Sequence, residues 1–275
     1  MQRFLRRFMY ALCMRLLRHS CALLAVVLAV SCGGRSQDSA LPPQSVESLT
    51  TTDGYRIAST LYPAKAERPA GLILIHMLGS DRSQWDAFAR RAQREGYASI
   101  AIDLRGHGDS LPPSGSEVSY KSFETADWLG ALQDIDAAKA ALLQHGADPE
   151  NLAVVGASIG ANLALRYAVA HQDIQAVVML SPGLDYRGIQ TEPDVLAYGK
   201  RPSLMLTTTG DSYSATSCTT LKALSPGFCE LREYGGATHG TDILDAEQAS
   251  TDQIFLWLSH IIGPEAAAAN RAQSQ

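Results

Sequence analysis

Apolar runs of strand length, alternating with stretches of helical periodicity, leave this chain few folds to choose from. "GLILIHM" (Gly71–Met77), Ala98–Asp103, Leu152–Val155, "AVVMLSP" (Ala176–Pro182) and "SLMLTTTG" (Ser203–Gly210) lack the polar alternation of a half-exposed strand. Strands of that kind are covered on both faces. Between them, Gln84–Gly96 places Trp85, Phe88, Ala89 and Ala92 at helical spacing. Glu124–His145 repeats Ala, Leu and Ile at three and four, and Gly160–Ala170 reads as a further helix. This alternation predicts an α/β fold with a mostly parallel central sheet and helices on both faces. Ser48–Thr52 and Tyr55–Tyr62, around Asp53-Gly54, predict an opening hairpin that adds antiparallel strands at one edge. Cys229–Gly236 predicts a last strand and Asp252–Ile262 a last helix.

In such sheets ligands bind outside the carboxyl ends of the strands. There the sequence offers "VVGASIGANL" (Val154–Leu163), an apolar strand, Gly-x-Ser-x-Gly and a small-residue helix. Glycines two before and two after Ser158 permit a sharp turn that lifts the hydroxyl over the sheet edge. The alternative is a glycine-rich turn that packs a helix on the sheet. A serine nucleophile needs a base within hydrogen-bond reach. His239, flanked by turn residues in "GGATHGT" after the last strand, is the candidate. His145, His171 and His260 fall in or at the ends of helices. Asp211, directly after Ser203–Thr209, is the expected orienting acid, with Asp185 in "LSPGLDY" as its rival. The ordinary reading of Asp185 is a turn or helix cap.

The order Ser158, Asp211, His239 resembles that of the α/β-hydrolase superfamily. "ILIHMLGS" is similar to that family's oxyanion-hole strand, and "DLRGHGDS" (Asp103–Ser110) to its Asp-x-Arg-Gly-x-Gly-x-Ser turn. The resemblance covers roughly residues 48–263. The layout looks most like capless dienelactone-hydrolase-type and esterase-like members, although their nucleophile can be Cys where this chain has Ser. It implies an α/β-hydrolase fold without a large cap domain, and backbone oxyanion donors at Leu78, or Met77 as the alternative, and at Ile159. Met77 stands where the family usually has glycine. His76 is expected to be a structural strand-end histidine, and Asp103, Arg105 and His107 to support the sheet edge, with an Arg–Asp pair fixing that turn.

Residues 1–31 carry Arg3, Arg6, Arg7, Arg15 and Arg18, no acid, and the apolar run Cys21–Val30. A basic start, a short apolar stretch and small residues describe a secretory signal peptide. "LAVSCGG" ends the stretch in Cys32 and resembles a bacterial lipobox, which implies lipidation of Cys32 and a place in the cell envelope, on the periplasmic face of the outer membrane. A cleaved soluble form and an uncleaved anchor are the alternatives. Residues 32–45 read as a flexible tether, 46–263 as the folded domain and 264–275 as a disordered tail. Without the leader the chain has 18 Lys+Arg against 28 Asp+Glu, which disfavours polyanionic partners such as nucleic acid. In an oxidising compartment the remaining pair, Cys218 and Cys229, is expected to form a disulfide.

These readings combine into a lipid-anchored serine hydrolase of esters or thioesters, working through an acyl-enzyme on a small-molecule substrate. No cofactor is expected. Neither metal-ligand spacing nor a phosphate-cradling loop is apparent. A peptidase or amidase on the same scaffold, and a non-catalytic envelope lipoprotein, are the competing readings. Gly183–Pro202 and Gly210–Cys229 are the long connections, the first too short for a folded cap and so predictive of an open, shallow site.

Overall fold

The computed structural model describes residues 40–116 and 118–263. The leader, Cys32 and the tail therefore lie outside the described residues. The strands are β1 (Ser45–Thr50), β2 (Arg56–Tyr62), β3 (Gly71–Ile75), β4 (Ala98–Ile102), β5 (Leu152–Ala157), β6 (Ile174–Leu180), β7 (Asp185–Tyr186), β8 (Ile189–Gln190), β9 (Ser203–Thr208) and β10 (Cys229–Tyr234). The helices are α1 (Asp86–Arg94), α2 (Thr125–Gly130), α3 (Leu132–Gln144), α4 (Ile159–Ala170), α5 (Glu192–Tyr198), α6 (Ser212–Leu224), α7 (Asp242–Ala246) and α8 (Gln248–Ile261).

Eight strands form one sheet in the order β1-β2-β4-β3-β5-β6-β9-β10. β1 and β2 run antiparallel, as the opening hairpin predicts, and β3 to β10 of this sheet pair in parallel. Successive residues of β3 feed opposite faces. Ile73 and Ile75 join Val154, Ile135 of α3 and Leu163 of α4. Leu72 and Leu74 join Val155, Phe88 of α1 and Leu258 of α8. Burial on both faces explains why these strands read as unbroken apolar runs.

Several expectations need correction. The helix expected over 124–145 is two helices broken at Ala131, and a Cβ on Gly130 would lie 2.5 Å from Arg105 Nη1. The connection 210–229 holds a full helix, α6. Within the stretch expected to be tether, Gln93 Nε2 donates to the Pro42 carbonyl at 3.1 Å and Ser45 already opens β1. Cys218 and Cys229 are free thiols, so the expected disulfide is not formed. Cys218 is buried in the core as a small apolar residue, and packing rather than a covalent link holds α6 to the sheet. The Arg–Asp pair expected within the turn is also different. Asp103 pairs with Arg82, whereas Arg105 reaches out of the turn to Asp134 on α3, at 2.7 Å, and to Asp53 in the opening hairpin, at 2.8 Å.

Candidate active site

Ser158 sits between β5 and α4 at φ 54° and ψ −120°. A side chain held at positive φ costs on the order of 1–3 kcal/mol and persists only where surrounding contacts over-determine it. Here they do. A Cβ on Gly156 would lie 2.1 Å from the Gly160 carbonyl oxygen, and one on Gly160 would lie 2.5 Å from the His76 carbonyl oxygen. Both glycines are required for the strand and helix to meet this closely. The Ser158 amide donates to Leu180 O at 2.8 Å, which ties the turn to β6.

His239 and Asp211 arrive from loops after β10 and β9. His239 Nε2 lies 2.7 Å from Ser158 Oγ, and His239 Nδ1 lies 2.6 Å from Asp211 Oδ2. With the carboxylate accepting from Nδ1–H, Nε2 is left to accept from the Ser158 hydroxyl. Burial opposes ionisation of Asp211, but hydrogen bonds from His239 and Ser214 outweigh it and hold the carboxyl below its usual value. Asp211 also caps α6, where Ser214 N donates to Oδ1 at 3.4 Å. The rival Asp185 is exposed and accepts from Gly188 N at 2.8 Å, a turn role.

Sequence reasoning missed the residues that brace this line. Ser181, at φ 50°, accepts from Gly240 N at 3.0 Å and so fixes the loop that carries His239. Buried Asn162, one turn into α4, donates to the carbonyls of Gly183 and Ile189 and accepts from Gly183 N. It fastens the β7–β8 hairpin over the site. That hairpin carries Tyr186, whose hydroxyl lies 3.1 Å from Ser214 Oγ and whose ring stands perpendicular to His239. The sequence signal was a buried-helix asparagine among apolar neighbours, a polar group that must find partners.

Behind the site, His76 is wholly buried. Its Nδ1–H donates to Met77 O at 2.7 Å and its Nε2 accepts from Leu104 N at 3.0 Å. The planar trans peptide then turns Leu78 N–H away from His76. Neither Leu78 N–H nor Ile159 N–H has a hydrogen-bond partner among the described residues. His107 is buried nearby, its ring 4.9 Å from that of His76 and stacked 4.1 Å from Tyr120. Burial pulls both imidazoles down to about 4, so both are neutral at pH 7. The unfolded chain binds these protons near pH 6.5 and the folded chain only near pH 4. The stability these two groups contribute is therefore expected to be complete above about pH 6.5 and to be lost as the pH drops toward 4. Urea midpoints across that interval check this, and His76→Gln should flatten the dependence.

A family model described as the alpha/beta hydrolase family matches residues 72–263. No curated protein sequence matches significantly. Solved structures with the same fold include the alpha/beta hydrolase GrgF from Penicillium, at TM-score 0.69 and 14% identity, covering 80% of this chain and 99% of that one. The dienelactone hydrolase from Anabaena variabilis gives 0.64 and 18%, covering 81% and 100%. The Pyrococcus furiosus esterase Pf2001 gives 0.63 and 17%, covering 80% and 92%. With the strand order and the strained Ser158 turn already in place, the family match over most of the folded part leads to one conclusion: the chain belongs to the alpha/beta hydrolase family.

Proposed function

We propose that this protein is a serine hydrolase of carboxylic esters or thioesters, with Ser158 as nucleophile, His239 as base and Asp211 as orienting acid. The observation that carries the reading is His239, which bridges Ser158 and Asp211 at 2.7 and 2.6 Å. In this reading His239 Nε2 takes the Ser158 proton as Oγ attacks the substrate carbonyl. Asp211 holds the imidazole in the required tautomer and stabilises the imidazolium. The tetrahedral oxyanion is received by the amides of Ile159 and Leu78, each such donor lowering the barrier by roughly 3 kcal/mol. Leu78 is favoured over Met77 because His76 and Ser80 N both engage the Met77 carbonyl, which leaves the next amide facing the other way. His239 then protonates the leaving group, and water repeats the sequence to release the acyl-enzyme.

Similarity to an esterase and a dienelactone hydrolase supports ester chemistry over the peptidase reading. Between β6 and β9 the described chain holds only a short hairpin and the seven-residue α5, which supports an uncapped site. A fluorophosphonate probe tests the reading. It should label the wild-type protein and leave Ser158→Ala unlabelled; absent wild-type labelling, or equal labelling of the variant, would overturn it.

We propose also that Cys32 carries lipid chains that hold the enzyme at the bacterial cell envelope. The Arg-rich start, the apolar run and the small residues before Cys32 support this. Palmitate incorporation into the full chain, lost in Cys32→Ser, is the expected result. Equal incorporation, or none in either, refutes it.

A further inference from the structure

We infer that Tyr186 and Tyr213 form an aromatic subsite beside Ser158 that takes a planar ring carried by the substrate, on its acyl or its alcohol side. The inference deepens the ester-hydrolase reading and rests on it for the kind of compound bound.

Three rings lead outward from Ser158. The Tyr186 ring stands at 90° to the His239 imidazole with centroids 6.3 Å apart. Tyr213 meets Tyr186 edge-on at 5.5 Å and 65°. Tyr186 is partly buried, whereas Tyr213 remains 46% exposed. The file thus runs from the reacting serine toward solvent, and its outer member is nearly half exposed.

Both rings are fixed in place. Each approaches Gly183 so closely that a Cβ there would lie 2.7 Å from carbons of Tyr186 and of Tyr213. Tyr213 Oη donates to Asp185 O at 3.0 Å and accepts from Asp185 N at 2.9 Å. Leu184 N donates to Ser217 Oγ at 3.1 Å, and Asn162 holds the other side of the hairpin. Tyr186 Oη is engaged by Ser214. Burial raises the Tyr186 phenol above its usual value, so it stays protonated.

With both phenol oxygens committed to the protein, what the pair offers a substrate is ring face and ring edge. A surface of that kind, held rigid, rewards a second aromatic ring through offset or edge-on packing beyond simple area burial. It should therefore distinguish a phenyl group from a cyclohexyl group, although the latter is the more hydrophobic.

The test compares kcat/KM within matched pairs. Benzyl acetate against cyclohexylmethyl acetate places the ring on the alcohol. Methyl 3-phenylpropanoate against methyl 3-cyclohexylpropanoate places it on the acyl group. Leaving-group chemistry is nearly constant within each pair. The wild-type enzyme should favour the phenyl member of one pair by about threefold to tenfold, and the pair that responds identifies the side. Tyr213→Phe, which keeps the ring, should retain the ratio; Tyr213→Leu should bring it close to one. A wild-type ratio near one in both pairs, or a ratio unchanged in Tyr213→Leu, overturns the subsite. If no ester is turned over, the hydrolase reading fails separately. The subsite is then read by calorimetric binding of the two methyl esters and of benzyl against cyclohexylmethyl acetate to Ser158→Ala. Phenyl preference there supports it, and equal or absent binding overturns it.

Discussion

Ester turnover by Ser158→Ala is expected to fall on the order of a millionfold in kcat, and that of Asp211→Asn by about ten-thousandfold. Alanine removes the oxygen proposed to attack and little else, because the strained turn is held by Gly156, Gly160 and the Ser158 amide rather than by the hydroxyl. Asparagine acts less directly. Its amide keeps the shape of the carboxylate but can turn N–H toward His239 Nδ1, which reverses the tautomer. Nε2 then carries a proton toward Ser158 and cannot accept one. Steady-state rates with a short-chain ester check both. Activity within tenfold of wild type in either variant would remove that residue from the mechanism, and thermal melts should show both proteins folded.

Asp134→Ala is the substitution with the largest expected effect on stability, about 3–5 kcal/mol in guanidinium unfolding. Asp134 is fully buried on α3, and Arg105 is nearly so. Their carboxylate and guanidinium meet through Nε and Nη2, and the Arg105 amide donates to the same carboxylate at 2.8 Å. Deleting the acid leaves a buried guanidinium with the partly exposed Asp53 as its remaining acidic partner among the described residues, and the Tyr55 ring 4.3 Å away. The cost comes from the stranded charge and not from a large net attraction. Replacing both residues, as Arg105→Met with Asp134→Leu, should accordingly recover much of the loss. If the single variant unfolds within 1 kcal/mol of wild type, the pair is not structurally required.

The two predictions draw on features of unequal legibility. The sheet was readable because strands buried on both faces leave an unmistakable apolar record. That Ser158, Asp211 and His239 would come together was readable because each follows a strand, and because their order along the chain is the one the family resemblance implies. Arg105 was readable as a supporting residue, yet its partners were not: Asp53 and Asp134 lie far from it along the chain, and only the fold brings them within reach. Helix α6 was hidden for a different reason. "SYSATSCTTLKAL" is rich in Ser and Thr, poor helix formers with no clear apolar stripe, so packing and the Asp211 cap determine its conformation. The hairpin over the site escaped notice because strands of two residues have no periodicity to read. Asn162, which pins it, carries the information in a single side chain.

One edge of the sheet has a consequence of its own. β10 is one terminal strand of the sheet and, among the described residues, is bonded to β9 alone. Three of its six residues, Glu230, Arg232 and Glu233, are charged. An open strand is a template on which another chain can add, and charge along it is the usual deterrent. Neighbouring copies of this protein would meet at that border with ionised side chains, and each sheet would end where its own sequence ends it.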